Sequence, residues 1–143
     1  PLIGWAAGEG RVTALGWIIF GILFFWQVPH FMAIAWTYRK DYSAVHFPML
    51  PVRDEAGGRV AAWSLINTIA LVVVSVLPPI LGLTSWYYLI PAAASGAWFL
   101  ARAIAFLRPA TRDFAARKLF MASIGYLPLV LCSLVADRMY FAP

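Results

Sequence analysis

Four apolar runs of membrane-crossing length constrain this chain more than any other feature. About 30 Å of hydrocarbon takes about 20 helical residues to cross, and such runs cover roughly residues 13–36, 61–81, 86–107 and 119–136. Within lipid only helices and closed barrels satisfy the polar groups of the backbone, and these runs are too long and too unalternating for barrel strands. The expected fold is all-α: a polytopic transmembrane helix bundle with four spans, forming one domain over residues 1–143. Composition agrees, with 12% charged residues where soluble domains carry about a quarter. The sequence shows no repeat and no low-complexity tract.

Lys and Arg set the expected orientation. Nine of the eleven basic residues fall in the connections after the first and third runs, and only Arg11 and Arg138 lie on the opposite side. By the positive-inside rule the nine face the cytoplasm, or its equivalent. The net charge of +5 therefore reflects topology, and no nucleic-acid partner is expected. Residues 109–118 read as a short basic segment lying along the headgroups of the lipid bilayer. Trp17, Trp36, Trp86, Tyr87 and Tyr88 stand near span ends, where aromatic side chains anchor helices. Cys132 reads as a small buried hydrophobe and forms no intramolecular disulfide, being the single cysteine. The chain opens on Pro1 with no signal-peptide pattern, so it is expected to be truncated at its N-terminus.

Chemistry-bearing residues gather around the first span. Gln27, Pro29 and His30 interrupt its apolar sequence, and polar groups at that depth are costly enough to count as site candidates. Pro29 frees the carbonyl of Phe25 and favours a kink. His30 is equally compatible with a bond to a neighbouring helix and with a ligand-facing role. On one continuous helix Gln27, His30, Ile34, Tyr38 and Asp41 would share a face, with His30 roughly 16 Å from Asp41. At the rim stands Tyr38-Arg39-Lys40-Asp41-Tyr42. Arg and Lys hold phosphate oxygens, and Asp41 offers the hard oxygen that Mg²⁺ prefers. A basic cluster just inside a span is also what topology alone would produce.

Three stretches, Trp26-Gln27-Val28-Pro29-His30-Phe31, Tyr38-Arg39-Lys40-Asp41-Tyr42 and Phe47-Pro48-Met49-Leu50-Pro51, together resemble the heme O synthase (protoheme IX farnesyltransferase) branch of the UbiA-type intramembrane prenyltransferases. Pro1-Leu2-Ile3-Gly4-Trp5 and the closing run from Leu119-Phe120 to Asp137 are also similar, so the likeness covers nearly the whole chain. It is specific, because the Pro-His-Phe and Pro-Met-Leu-Pro elements occur in the order and spacing of that branch. The resemblance implies a nine-span bundle of which these are the sixth to ninth, its cavity opening to the cytoplasmic or matrix side of a bacterial inner membrane or a mitochondrial inner membrane. It implies transfer of a farnesyl group from farnesyl diphosphate to heme B, giving heme O, with a heme A synthase or an oxidase-assembly factor as an expected partner.

On this likeness Asp41 would bind Mg²⁺, Arg39 and Lys40 would grip diphosphate, and His30 would face the heme. Tyr38, Tyr42, His46 and Asn67 would stand at the cavity rim. Two departures stand out. The first Asp-rich motif belongs to spans this chain does not contain, and the DxxxD pattern of the second is incomplete, because Val45 follows Asp41 by four positions. Asp54 and Glu55 come too late for that spacing. The competing reading is a non-catalytic heme- or quinol-binding subunit with His30 as axial ligand; a transporter fragment broken at Pro29 is a third.

Overall fold

A computed structural model describes residues 1–46 and 49–141; Phe47 and Pro48 of the Phe-Pro-Met-Leu-Pro run lie outside the described residues. Among the described residues every regular element is helical. A short helix α1 (Leu2–Glu9) leads into α2 (Ala14–Thr37), then come α3 (Arg39–Ala44), α4 (Leu50–Arg53), α5 (Gly58–Ile80), α6 (Leu89–Phe106) and α7 (Arg112–Tyr140). Single 3-10 turns, Trp86–Tyr88 and Pro109–Thr111, lead into α6 and α7.

Four helical segments are long and apolar enough to cross a membrane: Ala14–Thr37, Gly58–Ile80, Trp86–Phe106 and Pro109–Tyr140. The chain is an integral membrane protein. Helices α2, α5, α6 and α7 close a ring in which α2 packs on α5, α5 on α6, α6 on α7, and α7 back on α2. On α7 the buried residues Leu119, Ala122, Ser123, Tyr126, Val130, Leu134 and Asp137 recur at three- and four-residue steps, the stripe that a 3.6-residue turn presents to its neighbours.

Small side chains let these helices approach closely. A Cβ on Gly96 would stand 3.2 Å from Val72, and one on Gly21 would stand 3.2 Å from Val74, the close packing expected where lipid gives no hydrophobic drive between helices. Polar side chains hold the ring across the same interfaces. Tyr126 donates to Ser75 Oγ at 2.8 Å in the buried interior. Trp26 Nε1 donates to Ser123 O at 2.8 Å, and Trp36 Nε1 donates to Asp113 Oδ1 at 2.8 Å. The two tryptophans are ten residues apart on α2, and their partners are ten apart on the antiparallel α7.

Several local expectations change. Residues 109–118 are no separate surface segment, because from Arg112 onward they are the first turns of α7. A helix of 29 residues measures about 43 Å, longer than the hydrocarbon layer, so its charged start extends beyond the apolar stretch. Trp36 and Tyr88 are not anchors at a lipid surface: they are 4% and 1% exposed, each turned inward against neighbouring helices. Cys132 is exposed, because it lies two positions from both Val130 and Leu134, which puts it on the opposite flank of α7. Pro29 leaves the helical assignment of α2 unbroken.

Candidate functional site

The basic connections meet where α2 and α6 end and α5 and α7 begin. Arg112 sits at the centre of this junction, 6% exposed. Its guanidinium donates to the carbonyls of Phe106 (3.1 Å), Leu107 (2.7 Å) and Ala56, so the cation caps the end of α6 and ties it to the loop before α5. Gly57 makes this fit possible. It has φ +70, and a Cβ there would overlap the Trp36 ring and Arg112 Cδ, so both conformation and space require glycine. Asp54 Oδ2 accepts from Val60 N at 3.0 Å, which places that carboxylate at the start of α5.

The sequence stripe from His30 to Asp41 survives in part. The backbone turns at Tyr38 (φ −101, ψ 15), ending α2 and starting α3, so the eleven-residue helical relation between His30 and Asp41 does not hold. Ile34, Tyr38 and Asp41 nevertheless line one cavity of about 600 Å³, with Thr37, and with Arg117, Phe120 and Met121 from α7 opposite. The floor is apolar and the rim polar. The Asp41 carboxylate makes no hydrogen bond or ion pair among the described residues, its backbone N–H donating to Tyr38 O.

His30 stands one layer deeper, half-buried, and joins the cavity through Phe120. Its ring stacks on Trp26 (centroids 4.5 Å apart, 25° between planes), lies 5.2 Å from Phe120 and meets Phe31 edge-on at 5.4 Å. His30 Nδ1 lies 2.7 Å from Ser123 Oγ, which itself donates to Phe120 O at 2.6 Å. Ser123 Oγ thus bridges Phe120 O and His30 Nδ1. The other ring nitrogen, Nε2, makes no hydrogen bond among the described residues.

The neighbours of Asp41 in sequence face elsewhere, since successive residues on a helix turn by about 100°. Arg39 donates to Trp36 O at 2.9 Å, lies 4.1 Å over the Trp36 ring and pairs with Asp113 at 3.0 Å. The Lys40 charge also acts on Asp113. A second cavity of about 590 Å³, between Trp36, Arg39, Glu55 and residues 109–114, lies on this side, but Arg39, Asp113 and Arg112 are engaged with one another and with backbone there. The Asp41 cavity is therefore the candidate site. Tyr42 is half-buried and His46 is exposed in the left-handed region with φ 54. Neither is part of the cavity lining. Asn67 is also outside it, buried in α5 with Nδ2 donating to Trp63 O at 2.9 Å. Gln27 is exposed.

Sequence reasoning did not single out Ser123 or Asp113. Both hold site side chains from α7, and the signal was available only as polar residues on the helix that closes the ring.

Among the described residues no three His, Cys, Asp or Glu side chains gather as a metal site. Asp41 alone fits Mg²⁺ as one hard-oxygen ligand, since that ion is commonly held by one or two carboxylates with phosphate oxygens and water completing its shell.

The chain is 75% identical over 140 residues to a protoheme IX farnesyltransferase of Opitutus terrae, with 98% of this chain and 48% of that protein covered. It is 41% identical to one of Solibacter usitatus, covering 96% of this chain and 47% of the relative. A mitochondrial protoheme IX farnesyltransferase of Arabidopsis thaliana is 36% identical over 96% of this chain and 32% of its own length. The chain thus spans about half the length of these two bacterial relatives, and less of the plant protein. No solved structure matches. Residues 1–124 match the UbiA prenyltransferase family, and the chain belongs to that family.

Proposed function

We propose that this chain is the C-terminal half, the sixth to ninth of nine spans, of a membrane enzyme that transfers a farnesyl group from farnesyl diphosphate to a vinyl group of heme B. The observation that carries the proposal is the Asp41 cavity: an unpaired carboxylate stands at the rim of an apolar pocket, one layer above a histidine with an open nitrogen, in a UbiA chain similar to proteins named protoheme IX farnesyltransferase. In the reaction the allylic carbon–oxygen bond breaks and diphosphate leaves with the bonding electrons. The farnesyl carbon bonds to the terminal vinyl carbon, water adds its oxygen to the other vinyl carbon, and a proton is released, giving heme O.

In this reading Asp41 binds Mg²⁺, which when bound supplies positive charge to the leaving diphosphate. Tyr38 stands at the rim, while Lys40, assigned to the diphosphate by sequence, lies outside the cavity lining and acts on Asp113. Arg39, assigned to the same grip by sequence, is held by Asp113 and fixes α3 against α7, so that Asp41 is presented to the cavity. Ile34, Phe120 and Met121 receive isoprenoid carbons and keep water from the developing cation. His30 presents Nε2 to the heme, as ligand to the iron or as orienting group. Tyr42, His46 and Asn67 act from outside the lining. The missing carboxylates belong to the preceding half, so the chain alone is expected not to turn over. We place the protein in a bacterial inner membrane, active side cytoplasmic, as the charge distribution supports; heme A synthase or an oxidase-assembly factor would take its product.

The test uses the full-length protein in membranes or nanodiscs. Asp41→Ala is expected to abolish farnesylated heme, detected by mass, while heme B binding stays near wild type; near-normal turnover would remove Asp41 from the mechanism. His30→Ala is expected to weaken heme binding and shift the Soret band, and an unchanged spectrum and rate would return His30 to packing. A wild-type protein that binds heme yet forms no farnesylated product would favour the non-catalytic heme-binding subunit.

A further inference from the structure

The cavity that contains Asp41 also contains Arg117, a residue whose sequence context suggests nothing beyond topology. Two helical stripes face each other there. Ile34, Thr37, Tyr38 and Asp41 descend from one wall, and Arg117, Phe120 and Met121, at positions i, i+3 and i+4 of α7, form the other. Arg117 is exposed, and among the described residues its guanidinium makes no hydrogen bond and no ion pair. Three of the other cations at this end are engaged, since Arg39 pairs with Asp113, Arg112 is sunk among carbonyls, and the Lys118 ammonium lies 4.3 Å over the Phe114 ring; Lys40, Arg53, Arg59 and Arg108 are exposed but lie outside this cavity's lining.

A free guanidinium at the mouth of an apolar pocket suits an amphiphile with an anionic head and an apolar body, because the planar fork takes two oxygens of one acidic group. We infer that Arg117 is a substrate-binding residue whose guanidinium contacts anionic oxygens of the ligand in the Asp41 cavity while the ligand's apolar part lies on Phe120 and Met121. The inference rests on the transferase reading, which supplies two sources of such oxygens: the diphosphate of the prenyl donor and the propionates of the heme. Their shared chemistry is a paired-oxygen anion. Asp41 would repel that anion in the absence of Mg²⁺, so Arg117 offers it a docking point that does not depend on the metal.

The experiment measures binding, independent of turnover, in the full-length protein carrying Arg117→Gln or Arg117→Lys. The probes are a non-cleavable farnesyl thiodiphosphate with Mg²⁺, heme B, and heme B esterified at both propionates. Arg117→Gln is expected to weaken one anionic probe by about tenfold or more, as losing a charge-assisted bidentate contact should, and Arg117→Lys to restore part of the loss. Weakening of the thiodiphosphate alone assigns the contact to the prenyl donor. Weakening of heme B, with the ester bound equally by wild type and variant, assigns it to a propionate. Wild-type binding of all three probes by both variants, within twofold, overturns the inference. If those affinities change as expected while wild-type protein forms no farnesylated heme, the transferase reading falls and the anion contact stands. Wild-type protein that binds no probe overturns both.

Discussion

Ser123 shows how one residue can serve two contacts in a membrane helix, one through its backbone and one through its side chain. Its backbone carbonyl accepts from the Trp26 indole and its hydroxyl is hydrogen-bonded to His30 Nδ1, so the residue that locks α2 to α7 also engages one imidazole nitrogen and leaves Nε2 open. Ser123→Ala is expected to cost about 1 kcal/mol, the usual net worth of one neutral hydrogen bond, and to weaken heme binding roughly fivefold, read by heme titration of the full-length protein. If heme affinity is unchanged while the variant is folded, the ring nitrogen is not oriented by this contact. His30 was legible in the sequence as a costly polar group at membrane depth, and so was Asp41 as a lone carboxylate at the rim. Ser123 was not, because serine satisfies itself by bonding back to its own helix, as Ser64, Ser95 and Thr68 do here, and nothing in sequence distinguishes a serine that also faces a neighbour.

At the scale of elements, the short helix α3 takes its position from both α2 and α7. The turn at Tyr38 frees its direction, and Arg39, seated between the Trp36 ring and Asp113, sets it. The ion pair itself is weak. Asp113 is 70% exposed, and solvent screening keeps such pairs below about 1 kcal/mol. A double-mutant cycle on Arg39→Gln and Asp113→Asn is expected to give a coupling at or below that figure in unfolding measurements, shrinking further in about 1 M salt, where the screening length falls to roughly 3 Å. Arg39→Gln should nevertheless depress turnover more than stability, since it loosens the helix that carries Asp41; equal loss of both would deny Arg39 that positioning part. The spans were legible because apolar length is a strong signal: α2, α5 and α6 begin and end within a few residues of the runs. The start of α7 was not. Its first turns are basic and polar, and what makes them helical is tertiary, namely Arg112 in the α6–α5 junction and Asp113 under Trp36.

For the molecule as a whole, the ring leaves broad apolar flanks outside. Trp63, Ile66, Ile69 and Val73 on α5 and Met121, Ile124 and Val135 on α7 are exposed, so the chain has far more apolar surface than its own core covers, as a membrane-embedded piece of a larger bundle requires. The charge count that oriented the sequence can be checked directly. In a Cys132→Ser background, Ser43→Cys and Phe114→Cys are expected to react with a membrane-impermeant maleimide from one side of oriented vesicles, and Tyr87→Cys from the other. Labelling of positions 43 and 87 from the same side would refute the four-span topology. One further consequence follows from the paired tryptophans. Because Trp26 and Trp36 meet α7 at two points separated by equal stretches of chain, about 15 Å on either helix, neither helix can slide along the other without breaking both bonds. A thinner or thicker bilayer must therefore be met by leaning α2 and α7 together as one plank, and the distance from the histidine layer to the carboxylate rim stays the same whatever lipid surrounds it.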